Sequence, residues 1–258
     1  MKNRMYRLFA SDGRIFILAM DHGGSLDVLP FLNNPGEIII GARESGVDAF
    51  ITTYGIAKNY AKQLGNSGVI VRVDGGTTMI GPANGCTRSL INIEDLVRLG
   101  VDGAVCMGFP GSKDEEVSMA NLMDFVTQAD FWNMPLCAEM LPVGWNASEW
   151  SADRLKFVSR IAAEYGADFI KTQYTGDKKS FKELVDGCYK PVVILGGPGD
   201  GSEKDLLQII RDSLDAGGQG VAIGRSIWRH KDPKAYCRAI AKVVHEDASV
   251  EVALKEFV

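Results

Sequence analysis

The chain has 258 residues, of which 46% are hydrophobic and 24% charged. That balance is ordinary for a folded globular protein and argues against a disordered chain. With a formal charge of −5 at pH 7, the whole chain lacks the basic footprint of a nucleic-acid binder, which leaves room only for a local basic pocket.

The first apolar run, residues 15–20, spans six residues, too few for a signal-peptide core or a membrane span. The five cysteines, at 86, 106, 137, 188 and 237, stand at least 20 residues apart with no C-x-x-C pair. Such scattered, odd-numbered thiols point to a reduced cytoplasmic protein, and to neither a zinc site nor a disulfide framework.

In chain order, residues 15–20 form the first predicted strand. Gly46-Val-Asp-Ala-Phe opens the second, residues 69–73 form the third, and Gly100-Val-Asp-Gly-Ala opens the fourth. Residues 136–140, Gly166-Ala-Asp-Phe-Ile, residues 192–195 and Gly217-Gly-Gln-Gly-Val supply the remaining four. Each glycine phrase reads as a helix C-cap followed by a buried parallel strand. The phrases recur at intervals of 54, 66 and 51 residues, about two βα units each, so they mark the even strands. Helical periodicity fills the gaps, as at 155–165 and 206–216. Eight alternations without a linker predict one (β/α)8 TIM barrel over residues 1–258, a fold that typically uses about 250 residues.

Barrel chemistry belongs where strands end and βα loops begin. The polar residues there are Asp21 and His22 on strand 1, Tyr54 on strand 2, Asp74 on strand 3 and Glu139 on strand 5, followed by Lys171 and Tyr174 on strand 6 and Arg225 on strand 8. Lys171 allows two readings. Partly desolvated in the mouth, it offers the neutral amine that imine formation needs. Turned toward the helices, it snorkels its ammonium to water. Asp21 either serves substrate hydroxyls and Lys171 or accepts loop amides. His22 either lines the site or packs the loop, and Asp74 either contacts substrate or turns the chain. Arg72, inside an apolar strand, requires a partner, a carboxylate being the natural one. His230 and His245 read as surface positions of the C-terminal helices, and Trp145 and Trp150 as packing or subunit contacts.

A second cluster is Gly196-Gly-Pro-Gly-Asp-Gly-Ser with Ile223-Gly-Arg-Ser. Glycines let backbone amides approach an oxyanion, a helix N-terminus adds partial positive charge, and Arg225 adds a fork of donors. Barrels often hold a phosphate between their seventh and eighth loops, although Gly-Pro-Gly alone is also a common turn.

Arg4-Met-Tyr-Arg-Leu-Phe, Ala19-Met-Asp-His-Gly, Phe169-Ile-Lys-Thr-Gln-Tyr-Thr-Gly-Asp, Gly196-Gly-Pro and Ala222-Ile-Gly-Arg-Ser span nearly the whole chain. In this order they resemble the class I aldolases of the archaeal fructose-bisphosphate aldolase family, which belong with the deoxyribose-phosphate and tagatose-bisphosphate aldolases. The resemblance implies a (β/α)8 barrel, a Schiff-base lysine at Lys171, and neither metal nor other cofactor. It also implies an acid–base or positioning role for Asp21, phosphate contacts from Gly196, Gly197, Gly224 and Arg225, and a homo-oligomer. His22 is grouped with the substrate-binding residues.

The fifth strand departs from the family pattern. There the archaeal aldolases resemble x-x-Tyr-Pro-Arg-Gly, with the tyrosine as proton donor, whereas this chain has Glu139-Met-Leu-Pro-Val-Gly and so Leu141 in the tyrosine's place. Side-chain alternation puts Glu139 on the same face as Leu141. Glu139 with Asp21 is therefore the expected replacement, with a pKa raised toward neutrality, or else Glu139 only pairs with Lys171 or Arg72.

The expected function is a metal-independent class I aldolase acting on a phosphorylated ketose or phospho-ketone, with no nucleic-acid or membrane partner. Within the family, relatives without the tyrosine include a thiolase that cleaves a phosphorylated diketone with coenzyme A, and another branch makes an amino-dideoxy-heptulosonate by aldol transfer. A transaldolase-type reaction would use the same lysine. A phosphosugar isomerase or epimerase, or a phosphometabolite sensor, would use the phosphate loops alone.

Overall fold

The computed structural model describes residues 2–24, 32–76, 78, 80–81, 87–144, 146–196 and 201–257. Eight parallel strands close into a barrel, with the last pairing to the first. They are β1 (Ile15–Ala19), β2 (Ala49–Thr52), β3 (Gly68–Arg72), β4 (Gly103–Gly108), β5 (Leu136–Met140), β6 (Phe169–Thr172), β7 (Val192–Leu195) and β8 (Gly220–Ile223). The four odd strands fall within one residue of their predicted bounds, and the glycine phrases open the even ones.

The helices are α1 (Met5–Leu8), α2 (Pro35–Arg43), α3 (Tyr54–Asn59), α4 (Ala61–Leu64), α5 (Ile93–Leu99), α6 (Glu115–Phe131), α7 (Ala152–Glu164), α8 (Lys178–Cys188), α9 (Glu203–Asp215), α10 (Arg225–Trp228), α11 (Pro233–His245) and α12 (Val250–Ala253). Asp74–Gly75 and Arg88–Ser89 add a short antiparallel pair beyond β3, which the sequence did not disclose as strands.

The glycine phrases do two jobs. Gly100, the C-cap of α5, has φ 80°, the left-handed conformation that lets a helix stop and turn into a strand. The phrase's aspartate then ties that strand to the one before it. Asp48 accepts the Phe16 N–H at 2.6 Å, Asp102 the Val69 N–H at 3.1 Å and Asp168 the Leu136 N–H at 2.8 Å. Each aspartate thereby fixes the register of an odd–even strand pair at its N-terminal end.

Strand alternation sorts the apolar residues into two layers. Phe16, Leu18, Phe50, Val71 and Ile194 point outward against the helices. Ile17, Ile51, Ile70, Val105, Cys137, Phe169 and Val193 fill the barrel interior. The base is closed by the N-terminal segment. Met5 and Leu8 of α1 join the interior cluster, and Phe9 meets Phe169 edge-on at 5.5 Å.

Candidate active site

The same alternation carries three charged side chains into the mouth. Arg72 is in phase with interior Ile70, Glu139 with Cys137 and Lys171 with Phe169. Parallel pairing sets Glu139 directly opposite Lys171, so the two meet by strand register and not by loop placement. Lys171 is only 5% exposed, and its Nζ lies 2.7 Å from Glu139 Oε1. It therefore occupies the mouth and does not turn toward the helices.

Arg72 binds the other Glu139 oxygen. Its Nε lies 2.5 Å from Asp21, which follows β1, and its Nη1 lies 3.2 Å from Asp74. Asp74 also accepts the Met107 N–H of β4 at 3.0 Å. Three carboxylates thus share one guanidinium and one amine. The sequence showed that Arg72 needed a partner; the structure supplies three.

The cluster decides the protonation states. Burial works to raise the pKa of Glu139, but the Lys171 and Arg72 charges hold it below the usual carboxylate range. This corrects the expectation of a value raised toward neutrality. The apolar neighbours were visible in the sequence, whereas the two cations converging on the carboxylate were not. Burial also opposes ionisation of Asp21, yet Arg72, His22 and Lys171 carry it well below its ordinary value. For Asp74 burial prevails and its pKa rises. Burial likewise lowers the pKa of His22, despite Asp21 at 3.8 Å, so the ring is neutral near pH 7.

His22 packs edge-on against Trp228 at 5.4 Å, and the Trp228 indole donates to the Ala19 carbonyl at 3.1 Å. Gly224 sits against both. A Cβ there would come within 2.5 Å of the Ala19 oxygen and 2.7 Å of the His22 ring, so only glycine fits. Arg225 follows, exposed and without an ion pair among the described residues. Gly196 follows β7 and sits against Ile223, while Gly197 lies outside the described residues. Helix α10 has a single turn, and α9 closes its own N-terminus with a Ser202–Asp205 capping box. Helix termini therefore offer an anion less here than the sequence suggested.

Met107, Phe109 and Leu141 cluster at the mouth with Trp150 and Leu195 packed on them, giving it an apolar wall beside the charged one. Trp150 is a packing residue whose indole donates to the Gly144 carbonyl at 3.0 Å, whereas Trp145 lies outside the described residues. Tyr174 lies two residues beyond β6 and packs against Phe181 of α8 at 5.2 Å, in the outer apolar layer and not in the mouth. Tyr54 begins α3, half-buried.

The two C-terminal histidines are not free surface residues. His230 meets Glu203 at 3.0 Å and packs between Tyr236 and Phe257. His245 bridges Asp12 and Asp48 at 2.8 and 3.0 Å.

A closed barrel with a buried amine beside a proton acceptor at its strand ends belongs to the class of barrel enzymes equipped for carbonyl chemistry. Residues 15–230 match the family described as DeoC/LacD family aldolase. The chain is 37% identical to the 2-amino-3,7-dideoxy-D-threo-hept-6-ulosonate synthase of Halobacterium salinarum, over 95% of this chain and 92% of that protein. It is 33% identical to the class 1 fructose-bisphosphate aldolase of Thermoproteus tenax, over 95% of each. Among solved structures, an archaeal fructose-1,6-bisphosphate aldolase has its catalytic lysine covalently bound to the carbinolamine intermediate. It superposes with a TM-score of 0.85 at 30% identity, covering 94% of this chain and 98% of that one. The chain belongs to the DeoC/LacD family of aldolases, enzymes that make or break carbon–carbon bonds.

Proposed function

We propose that the barrel mouth is the active site of a class I aldolase that cleaves or forms a C–C bond in a phosphorylated ketose through an imine on Lys171. The observation that carries this reading is the buried Lys171–Glu139 pair at 2.7 Å. In the resting site, the Lys171 ammonium passes a proton to Glu139 and becomes the nucleophile. The amine adds to the substrate ketone, and Glu139 returns that proton to the carbinolamine hydroxyl, which leaves as water. The resulting iminium withdraws electrons from the neighbouring C–C bond. Asp21, held anionic, takes the proton of the distal hydroxyl as that bond breaks, and then returns it to the enamine. Water releases the second product and restores Lys171.

No metal and no external cofactor enters this chemistry, because the iminium serves as the electron sink. Gly196, Gly224 and Arg225 form the phosphate end, with His22 beside it. The family tyrosine has no counterpart at Leu141, which lies in the apolar wall.

That wall favours a second reading within the same chemistry. A methyl or deoxygenated carbon, as in a phosphorylated diketone, would rest on Met107, Phe109 and Leu141 at no cost, whereas a hydroxyl would lose its hydrogen bonds there. Two weaker readings concern the protein's setting. Exposed Tyr6, Phe131 and Phe157 support a homo-oligomer. The buried free thiols of Cys106, Cys137, Cys188 and Cys237 suit a reducing cytoplasm, and no described helix is long and apolar enough to cross a membrane.

A cleavage assay across phosphorylated ketoses and their deoxy and diketone analogues, with and without EDTA, tests the reading. Turnover should survive chelation and require the phosphate. Loss of activity that zinc or another divalent ion restores would contradict it.

A further inference from the structure

Among the described residues, Arg72 alone touches both carboxylates to which proton transfer is assigned. Each guanidinium nitrogen meets a different acid: Nε meets Asp21, Nη2 meets Glu139 and Nη1 meets Asp74. Asp74 is itself fixed by the Met107 amide of β4. The fork is therefore anchored on one prong and holds a reactive carboxylate on each of the other two. A lysine has one compact ammonium and cannot present this planar fork.

We propose that Arg72 is a positioning residue for the aldol reaction, fixing Asp21 and Glu139 in place, keeping Asp21 ionised and leaving Glu139 able to release the proton it takes while Lys171 changes charge. The role rests on the imine reading given above. When Lys171 passes its proton to Glu139 and attacks, the amine stops supplying positive charge to the cluster. Arg72 is then the cation that remains beside Asp21, Asp74 and the protonated Glu139. It keeps Glu139 acidic enough to give the proton on to the carbinolamine, and keeps Asp21 a base. The other titratable groups facing the cluster do not substitute for it. His22 is neutral near pH 7, Arg225 is exposed, and the Cys106 and Cys137 thiols are pushed up by burial and stay protonated.

The test compares the wild type with Arg72→Lys and Arg72→Ala. Borohydride with substrate should trap Lys171 in the wild type and in Arg72→Lys. In Arg72→Lys, kcat should fall roughly ten- to a hundredfold with KM within about threefold, because Arg72 is assigned no substrate contact. The acid limb of kcat/KM should move up, by about one pH unit or more in Arg72→Ala, which loses the cation, and by less in Arg72→Lys, which keeps a charge but not the fork. In Arg72→Ala, millimolar guanidinium or ethylguanidinium should restore turnover at least about tenfold.

A merely structural ion pair would leave the acid limb unmoved and would give no rescue; either result in folded protein overturns the role. If Arg72→Ala does not fold, the pH profile of Arg72→Lys decides alone. Failure to trap Lys171 in the wild type would instead overturn the imine reading, and this role with it.

Discussion

At the base of the barrel, Asp48, Asp102 and Asp168 each hold a strand N–H, and each meets its own cation from a terminal segment. Their partners are His245 at 3.0 Å, Arg7 at 3.2 Å and Lys2 at 2.8 Å. At the mouth, Asp21, Asp74 and Glu139 instead share one guanidinium and one amine. The base spreads its acids over three separate cations, with Lys2 also reaching Asp130 and His245 also reaching Asp12, and an apolar plug seals it, so its charges hold the chain ends to the barrel. At the mouth one guanidinium joins the three carboxylates into a single cluster, and Lys171 lies against one of them, Glu139. The same residue types thus lock one end and leave the other ready to move protons.

The comparison is broken most severely by Glu139→Gln. The amide cannot take the proton from Lys171, and turnover should drop by roughly 10² to 10⁴, the usual worth of acid–base catalysis. Borohydride should still trap the imine, more slowly. Near-normal turnover would make Glu139 a bystander and shift the proton transfer to Asp21.

Leu8→Ala probes the opposite end. Leu8 is 1% exposed in the plug, and its truncation should cost about 2–5 kcal/mol in urea unfolding while changing kcat less than about twofold. A large loss of kcat in the folded protein would show that the two ends are not separable.

Arg225→Ala sharpens the mouth. A charge-assisted contact to phosphate contributes about 1.5–3 kcal/mol, so KM for a phosphorylated substrate should rise roughly 10- to 150-fold. An equal rise for an unphosphorylated analogue would place the anchor elsewhere.

His245 gives the smallest effect and a distinct pH signature. Hydrogen bonding to Asp48 raises its pKa to about 9; burial opposes this, and Asp12 reinforces it. The folded value exceeds the unfolded value of about 6.5, so the stabilisation is full below pH 6.5 and disappears as pH rises through 9. Wild type should exceed His245→Gln by roughly 1–3 kcal/mol near pH 6, and the two should converge near pH 10. A gap independent of pH would mean that His245 acts by packing alone.

Local signals made the barrel legible in the sequence. A glycine before each even strand marks a left-handed cap, and apolar runs mark odd strands such as Val192–Leu195. Lys171 and Glu139 were legible for the same reason, since each is a charged residue near the C-terminal end of such a run. What escaped depended on distant residues meeting. The plug at Met5 and Leu8 is a four-residue helix with no periodicity to reveal it. The pKa direction of Glu139 was set by Lys171 and Arg72, which lie on two other strands. Tyr174 looked like a strand-end residue, but it lies two residues beyond β6 and packs against Phe181 of α8. The bridge from His245 to Asp48 joins residues that only the closed barrel brings together.

The central claim, that Lys171 carries the reaction covalently, is tested most directly by reducing the enzyme with borohydride during turnover of a phosphorylated ketose and mapping the adduct by mass spectrometry. A single adduct should appear on Lys171 in the wild type. Lys171→Met should keep the fold, form no adduct and show no turnover. An adduct on another lysine, or near wild-type turnover in Lys171→Met, would contradict the account.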